Sequence, residues 1–203
     1  DILKYARDDA ILIDSHGKTR DEIFRLFEKF VAEKKKIVRL HSGDLSFYSA
    51  VQEQAEFLRS KNIDFEIVPG VSSFSAASAS LKRELTSPSV SQTLIITKPH
   101  GKTGKPEKES IAELSKHGAT MVIFLGVHLI DDIVSELRGG YPPETPIAVV
   151  YKASWTEEKI ISGTLEDIIE KVKNAGIKSQ SVIIVGDVLE KSGISKLYGG
   201  YEL

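Results

Sequence analysis

Apolar positions along this chain follow two spacings. Short apolar runs at 10–13, 37–40, 65–68, 93–97, 120–125, 147–151 and 181–185 predict strands, and 159–163 predicts a strand edge. Between them, apolar residues three or four apart predict helices. One carries Ile23, Phe24, Phe27, Phe30 and Val31 behind a Thr19 cap, and the next carries Phe47, Val51, Ala55 and Leu58. Further helices are expected over 74–81 behind Ser72-Ser73, over 108–116, over 128–137, and over 165–174, where Gly176 stops the last. Strands alternating with helices predict an α/β fold with mixed, largely parallel sheets covered by helices. The pattern lapses into Thr, Ser and Pro near 85–91, which predicts two domains, 1–91 and 92–203.

Composition changes this picture little. Of 203 residues, 41% are hydrophobic and 28% charged, ordinary values for a globular protein with a sizeable core. The formal net charge of −2 gives no bulk attraction to nucleic acid or to a membrane surface, so neither partner is expected. No apolar run approaches the roughly 20 residues of a membrane span. The absence of cysteine excludes disulfides and thiolate chemistry, and fits a cytoplasmic protein.

Three stretches carry candidate chemistry. The first is the predicted strand 37–40 running into His41-Ser42-Gly43-Asp44 and then a helix. A strand that ends in a glycine turn and feeds a helix is where α/β proteins place ligands; Ser-Gly-Asp is equally an ordinary turn with an N-cap. The second is the small-residue helix after Ser72-Ser73, which permits close approach of a ligand or close packing on a sheet. The third is the loop 98–106, with Lys98, His100, Lys102 and Lys105. It ends in Gly101-Lys102-Thr103 but lacks the earlier glycine of a phosphate loop, which argues against a nucleoside-triphosphate site. Its cations suit a ligand bearing carboxylates, or simply solvent. Five scattered histidines give no metal-ligand spacing, so no metal is expected, and no Gly-x-Ser-x-Gly elbow marks a hydrolase.

Four stretches in register resemble the tetrapyrrole methylase family. They are Val38-Arg-Leu-His-Ser-Gly-Asp44 with Tyr48, Glu66-Ile-Val-Pro-Gly-Val-Ser-Ser-Phe74, Glu84-Leu-Thr86 with Gln92-Thr93, Thr97 and Gly101-Lys-Thr103, and Tyr151-Lys-Ala-Ser-Trp155 with Glu158-Lys-Ile160. The resemblance runs from about Ala10 to Tyr198 and implies two α/β domains with an active-site cleft between them, in a homodimer. It implies S-adenosylmethionine as cofactor, leaving as S-adenosylhomocysteine, held by Ser42, Gly43, Asp44, Phe47, Ser72, Ser73, Leu125 and Ala153. The implied substrate is a reduced tetrapyrrole, precorrin-4 or cobalt-precorrin-4, methylated at C11 in cobalamin biosynthesis. Its carboxylates would meet Arg83, Lys98, His100 and Lys102.

In such a transfer alignment matters more than a strong base, so Asp44 is cast as a positioning residue. Methylases of other ring carbons, diphthine synthase, or a non-catalytic binding module remain alternatives. Leu45 stands where the family's loop has proline. The family's first strand and its Gly-x-Gly-Pro-Gly-Asp loop have no counterpart here, and a truncated first domain is therefore expected.

Overall fold

A computed structural model describes residues 2–101 and 104–195. The chain divides into two compact units, Asp1–Gly70 and Val71–Leu203; the lapse near 91 falls inside the second.

In the first unit, α1 (Arg20–Ala32) begins where the sequence places it. Thr19 and Glu22 form a reciprocal capping box: the Glu22 amide donates to Thr19 Oγ1 (3.3 Å) and the Thr19 amide to Glu22 Oε2 (2.7 Å). Helix α2 (Val51–Ser60) starts one turn later than Phe47, behind Ala50, whose φ is 54°. The two helices meet through Phe24 and Phe57, stacked at 4.0 Å between ring centroids, with Phe27 and Ala55 buried nearby in sequence.

The expected strands at 10–13, 37–40 and 65–68 do not form. Among the described residues of this unit no ladder pairs them, and apart from the half-buried Phe65 their apolar side chains stand in solvent; Val38 is 71% exposed and Val68 69%. An apolar run becomes a strand only when a neighbour takes up its N–H and C=O groups, and here none does.

The second unit is α/β. Five strands, β1 (Leu94–Thr97), β2 (Thr120–Ile123), β3 (Pro146–Tyr151), β4 (Lys159–Thr164) and β5 (Ser181–Val185), form one sheet in the order β1-β2-β5-β3-β4. The sheet is mixed as expected, but the parallel share is smaller than the alternation suggests. Only β1–β2 is a parallel pair, because β4 returns from β3 as a hairpin and β5 inserts antiparallel between β2 and β3. In consequence β1, β2 and β3 still run the same way.

Both faces are covered. Met121, Ile123, Ile147, Val149, Ile183 and Val185 point to one face, packed under α4 (Ile111–Ser115), α5 (Ile130–Leu137) and α6 (Ile168–Asn174). The alternate residues Val122, Val150, Val182 and Ile184 meet the other face with Ala77 and Leu85. There α3 (Ser73–Leu81) lies close because Ala77, fully buried, presents only a methyl. The small residues of α3 thus serve packing on the sheet.

Candidate functional site

In the second unit the geometry follows from strand direction. Because β1, β2 and β3 are co-directional, Thr97, Phe124-Leu125 and Lys152-Ala153 all leave the sheet at one edge. The tips are stitched by backbone bonds: the Phe124 amide donates to Thr97 O and the Lys152 amide to Gln180 O, each at 2.9 Å. Four non-glycine residues on this edge hold positive φ: Leu125 (55°), Lys152 (46°), Ser154 (70°) and Gln180 (54°). That conformation costs energy and gathers where backbone must be presented rather than packed.

Helix α3 runs along the same edge. At its start, Phe74 meets Phe124 edge-on, 6.4 Å between centroids, which brings Ser72 and Ser73 to the tip of β2. Ala153 packs against the same apolar cluster as Phe74 and Phe124. Ser72, Ser73, Leu125 and Ala153 are therefore gathered together. At the helix's other end Ser80 Oγ donates to Glu158 Oε2 (2.7 Å), and the same oxygen accepts the Ser154 amide (2.7 Å). The Ser80 hydroxyl and then the Ser154 amide hold the Glu158 carboxyl below its ordinary range.

The cations divide. Arg83 follows the last turn of α3, the end tied through Ser80 to the β3–β4 connection, whereas Lys98 and His100 follow β1 at the sheet margin. Strands β1 and β3 are three spacings apart, about 14 Å. Lys102 lies outside the described residues. Lys105, which returns from this loop, is half-buried and donates through Nζ to Thr97 Oγ1 (2.6 Å) and Lys98 O (2.8 Å). Burial pushes its ammonium below the ordinary lysine value, with Glu109 and Glu136 pulling the other way.

In the first unit, Ser42, Gly43 and Asp44 form a tight turn; Gly43 has φ 71°. Asp44 is used twice: Oδ1 accepts the Ser46 amide (2.8 Å) and Oδ2 the Gly70 amide (2.9 Å). The Ser46 side chain, then the Gly70 and Ser46 amides, hold its carboxyl below the ordinary range. Gly70 is obligatory here, since a Cβ would stand 2.2 Å from Gly43 O. Phe47 is half-buried three residues beyond Asp44.

Sequence reasoning missed Lys105, Lys152 and Glu158 as pins of this edge. Lys152 Nζ lies 5.5 Å from the Tyr151 ring centroid and 5.2 Å from that of Trp155, with Glu157 at 3.4 Å. Its place between two aromatic residues was the available signal.

Co-directional strand tips with residues held at positive φ, flanked by a helix start, define an α/β protein of the kind that takes ligands at the carboxyl ends of strands. The sequence profile of the Tetrapyrrole (Corrin/Porphyrin) Methylases matches residues 2–169, and the chain belongs to this family. It is 54% identical over 200 residues to the cobalt-precorrin-4 C(11)-methyltransferase of Methanocaldococcus jannaschii, covering 97% of this chain and 77% of that protein. The crystal structure of a cobalamin biosynthetic enzyme, cobalt precorrin-4 methyltransferase, superposes with a TM-score of 0.90 at 35% identity, over 94% of this chain and 80% of that one. Uroporphyrin-III C-methyltransferase from Thermus thermophilus, complexed with S-adenosyl homocysteine, superposes at 0.70 and 26% identity, over 85% and 75%.

Proposed function

We propose that this chain transfers a methyl group from S-adenosylmethionine to C11 of precorrin-4 or cobalt-precorrin-4, a step of cobalamin biosynthesis. The observation that carries the reading is the 54% identity to a cobalt-precorrin-4 C(11)-methyltransferase over 97% of the chain. The residues present suit the cofactor: Gly43 turns the chain at φ 71° with no side chain, and Leu125 and Lys152 hold positive φ at strand tips. We assign cofactor binding to Ser72, Ser73, Leu125 and Ala153 in the second unit, and to Ser42, Gly43, Asp44 and Phe47 in the first. The bound cofactor supplies a methyl group already activated by a positive sulfur.

The chain's own contribution is placement. Asp44 spends both carboxylate oxygens on backbone amides, and one Glu158 oxygen takes both the Ser80 hydroxyl and the Ser154 amide. Both carboxylates fit positioning better than proton transfer. Holding reactants aligned can lower a barrier by up to about 7–11 kcal/mol. Lys98 and His100 beside β1, and Arg83 beyond α3, are assigned to the substrate's carboxylates, as is Lys102, which lies outside the described residues; each charge-assisted bond would contribute about 1.5–3 kcal/mol. A macrocycle fringed with carboxylates suits cations set at separate points of one sheet edge.

A homodimer and a cytoplasmic site of action accompany this reading, the latter supported by a chain without cysteine. No helix among the described residues is long and apolar enough to cross a membrane. Calorimetry with S-adenosylhomocysteine, paired with a methyl-incorporation assay on precorrin-4 and its cobalt form, tests the proposal. Binding with turnover on one of these supports it. Binding without turnover would leave a ligand-holding module, and the enzyme reading would be wrong.

A further inference from the structure

Between the end of β3 at Tyr151 and the start of β4 at Lys159, two non-glycine residues stand in the left-handed region, Lys152 at φ 46° and Ser154 at 70°. Ala153, assigned to the cofactor, lies between them. A side chain in that region strains the backbone, and the strain persists only where the surroundings fix it. Three backbone bonds shape the connection from within and from its β5 side. The Lys152 amide donates to Gln180 O (2.9 Å), the Trp155 amide to Lys152 O (2.9 Å) and the Glu158 amide to Trp155 O (3.1 Å). None of the three reaches α3, whose start is assigned to the same cofactor.

The Glu158 carboxylate does reach it. Oε2 accepts the Ser154 amide at 2.7 Å and the Ser80 hydroxyl at 2.7 Å, so one oxygen joins the left-handed turn to the last turn of α3. Helix α3, nine residues and about 14 Å long, is then held at both ends. Phe74 meets Phe124 beside Ser72 and Ser73, and Ser80 meets Glu158 beside the Ala153 turn. The fold itself does not need the carboxylate. Ser80 Oγ also lies 3.1 Å from Ala76 O and can turn to it, and Ser154 is exposed, so its amide can pass to water. Arg83 is held separately: its amide donates to Ser78 O (3.1 Å) and its carbonyl accepts from Ser78 Oγ (2.5 Å).

We propose that Glu158 is a positioning residue for the cofactor, which fixes the Ala153–Ser154 turn relative to α3 and so keeps Ala153 at a set spacing from Ser72 and Ser73. This deepens the methyltransferase reading and rests on it for the identity of the ligand. Glu158 acts through Ser154 and Ser80, not through contact with the cofactor. Without it the turn samples other conformations, and binding then includes the cost of ordering it.

The test compares Glu158→Ala, Glu158→Gln and the double variant Glu158→Ala with Ser154→Gly against the wild type. In Glu158→Ala the Kd for S-adenosylhomocysteine rises about tenfold, and hydrogen exchange at the Ser154 amide rises by a similar factor. KM for precorrin-4 moves by less than about threefold, and the melting temperature stays within about 3 °C of the wild type. Glu158→Gln keeps an acceptor oxygen and recovers most of the affinity. The double variant recovers part of it, because glycine adopts the left-handed turn without a side-chain penalty.

An unchanged Kd in Glu158→Ala would overturn the proposal. So would losses of cofactor affinity, of precorrin-4 KM and of melting temperature that run in parallel, or a double variant that binds no better than Glu158→Ala. If the wild type binds S-adenosylhomocysteine but transfers no methyl group to either substrate, the reaction reading fails alone and the Kd series still decides on Glu158. A wild type that binds no S-adenosylhomocysteine overturns the cofactor assignment and this proposal together.

Discussion

The two units use the same kind of sequence and reach different ends. In the second, apolar runs of four to six residues became five paired strands, of which β2, β5 and β3 in the middle are buried on both faces; Met121, Ile123, Val149 and Ile183 are fully buried. In the first, runs just as apolar at 10–13, 37–40 and 65–68 stay unpaired and, Phe65 apart, their apolar side chains stay exposed. The difference lies in the partners, not in the runs. Strand propensity measures how well a side chain fits a pleated, covered surface, and without that surface it has nothing to act on. The helices of the first unit fare better because α1 and α2 bond most of their own backbones and meet through the Phe24–Phe57 ring pair, with Lys61 at the end of α2 paired to Glu28 on α1.

The sharpest way to break this contrast is a pair of truncations. Leu137 on α5 is fully buried in the larger core, and Leu137→Ala costs about 2–5 kcal/mol of unfolding free energy. Val38→Ala, at a 71% exposed position, changes stability by no more than about 0.5 kcal/mol. Denaturant titration of both variants checks this. A cost at Val38 comparable to that at Leu137 would mean the segment is packed in solution.

A smaller effect separates the ordered turn of the first unit from its exposed runs. In Gly70→Ala the new methyl would meet Gly43 O at 2.2 Å, so the turn must shift; the strain is about 1–3 kcal/mol. S-adenosylhomocysteine affinity is expected to fall with it, measured by calorimetry, while Gly101→Ala, where a Cβ meets nothing within 4 Å, leaves the affinity unaltered.

The smallest is a pH effect at the same turn. Asp44 has a folded value lowered from 3.8, so its bonds to the Ser46 and Gly70 amides contribute stability above about 3.8 that is lost as pH falls through the folded value. Exchange at the Gly70 amide, corrected for intrinsic rates, should lose protection below pH 3.8 in the wild type and already lack it at neutral pH in Asp44→Ala. Equal protection in both would remove the carboxylate from the account.

Much of the second unit was legible because period-two alternation, caps and breakers are local signals. In the first unit Thr19 announced α1, and in the second the run 181–185 announced β5 to the residue. Strand direction and order were not legible: nothing in Ser181–Val185 says that it lies antiparallel between β2 and β3. The motifs named Ser72, Ser73, Leu125 and Ala153, which the fold gathers at one edge, but spacing could not tell that Arg83 stands at the other end of α3 from Lys98. Lys105 was legible as a loop cation, but its bonds to the strand end were invisible for a physical reason. A lysine in a polar loop reads as solvated, and only the folded backbone reveals Thr97 Oγ1 and Lys98 O within reach.

The account stands or falls on which carbon receives the methyl. Incubation with precorrin-4 or cobalt-precorrin-4 and S-adenosylmethionine labelled with carbon-13 in the methyl group, followed by NMR of the product, reads this directly. The account predicts one labelled methyl on C11 and an equal amount of S-adenosylhomocysteine. Label on another ring carbon, or cofactor binding with no labelled product from either substrate, would contradict it.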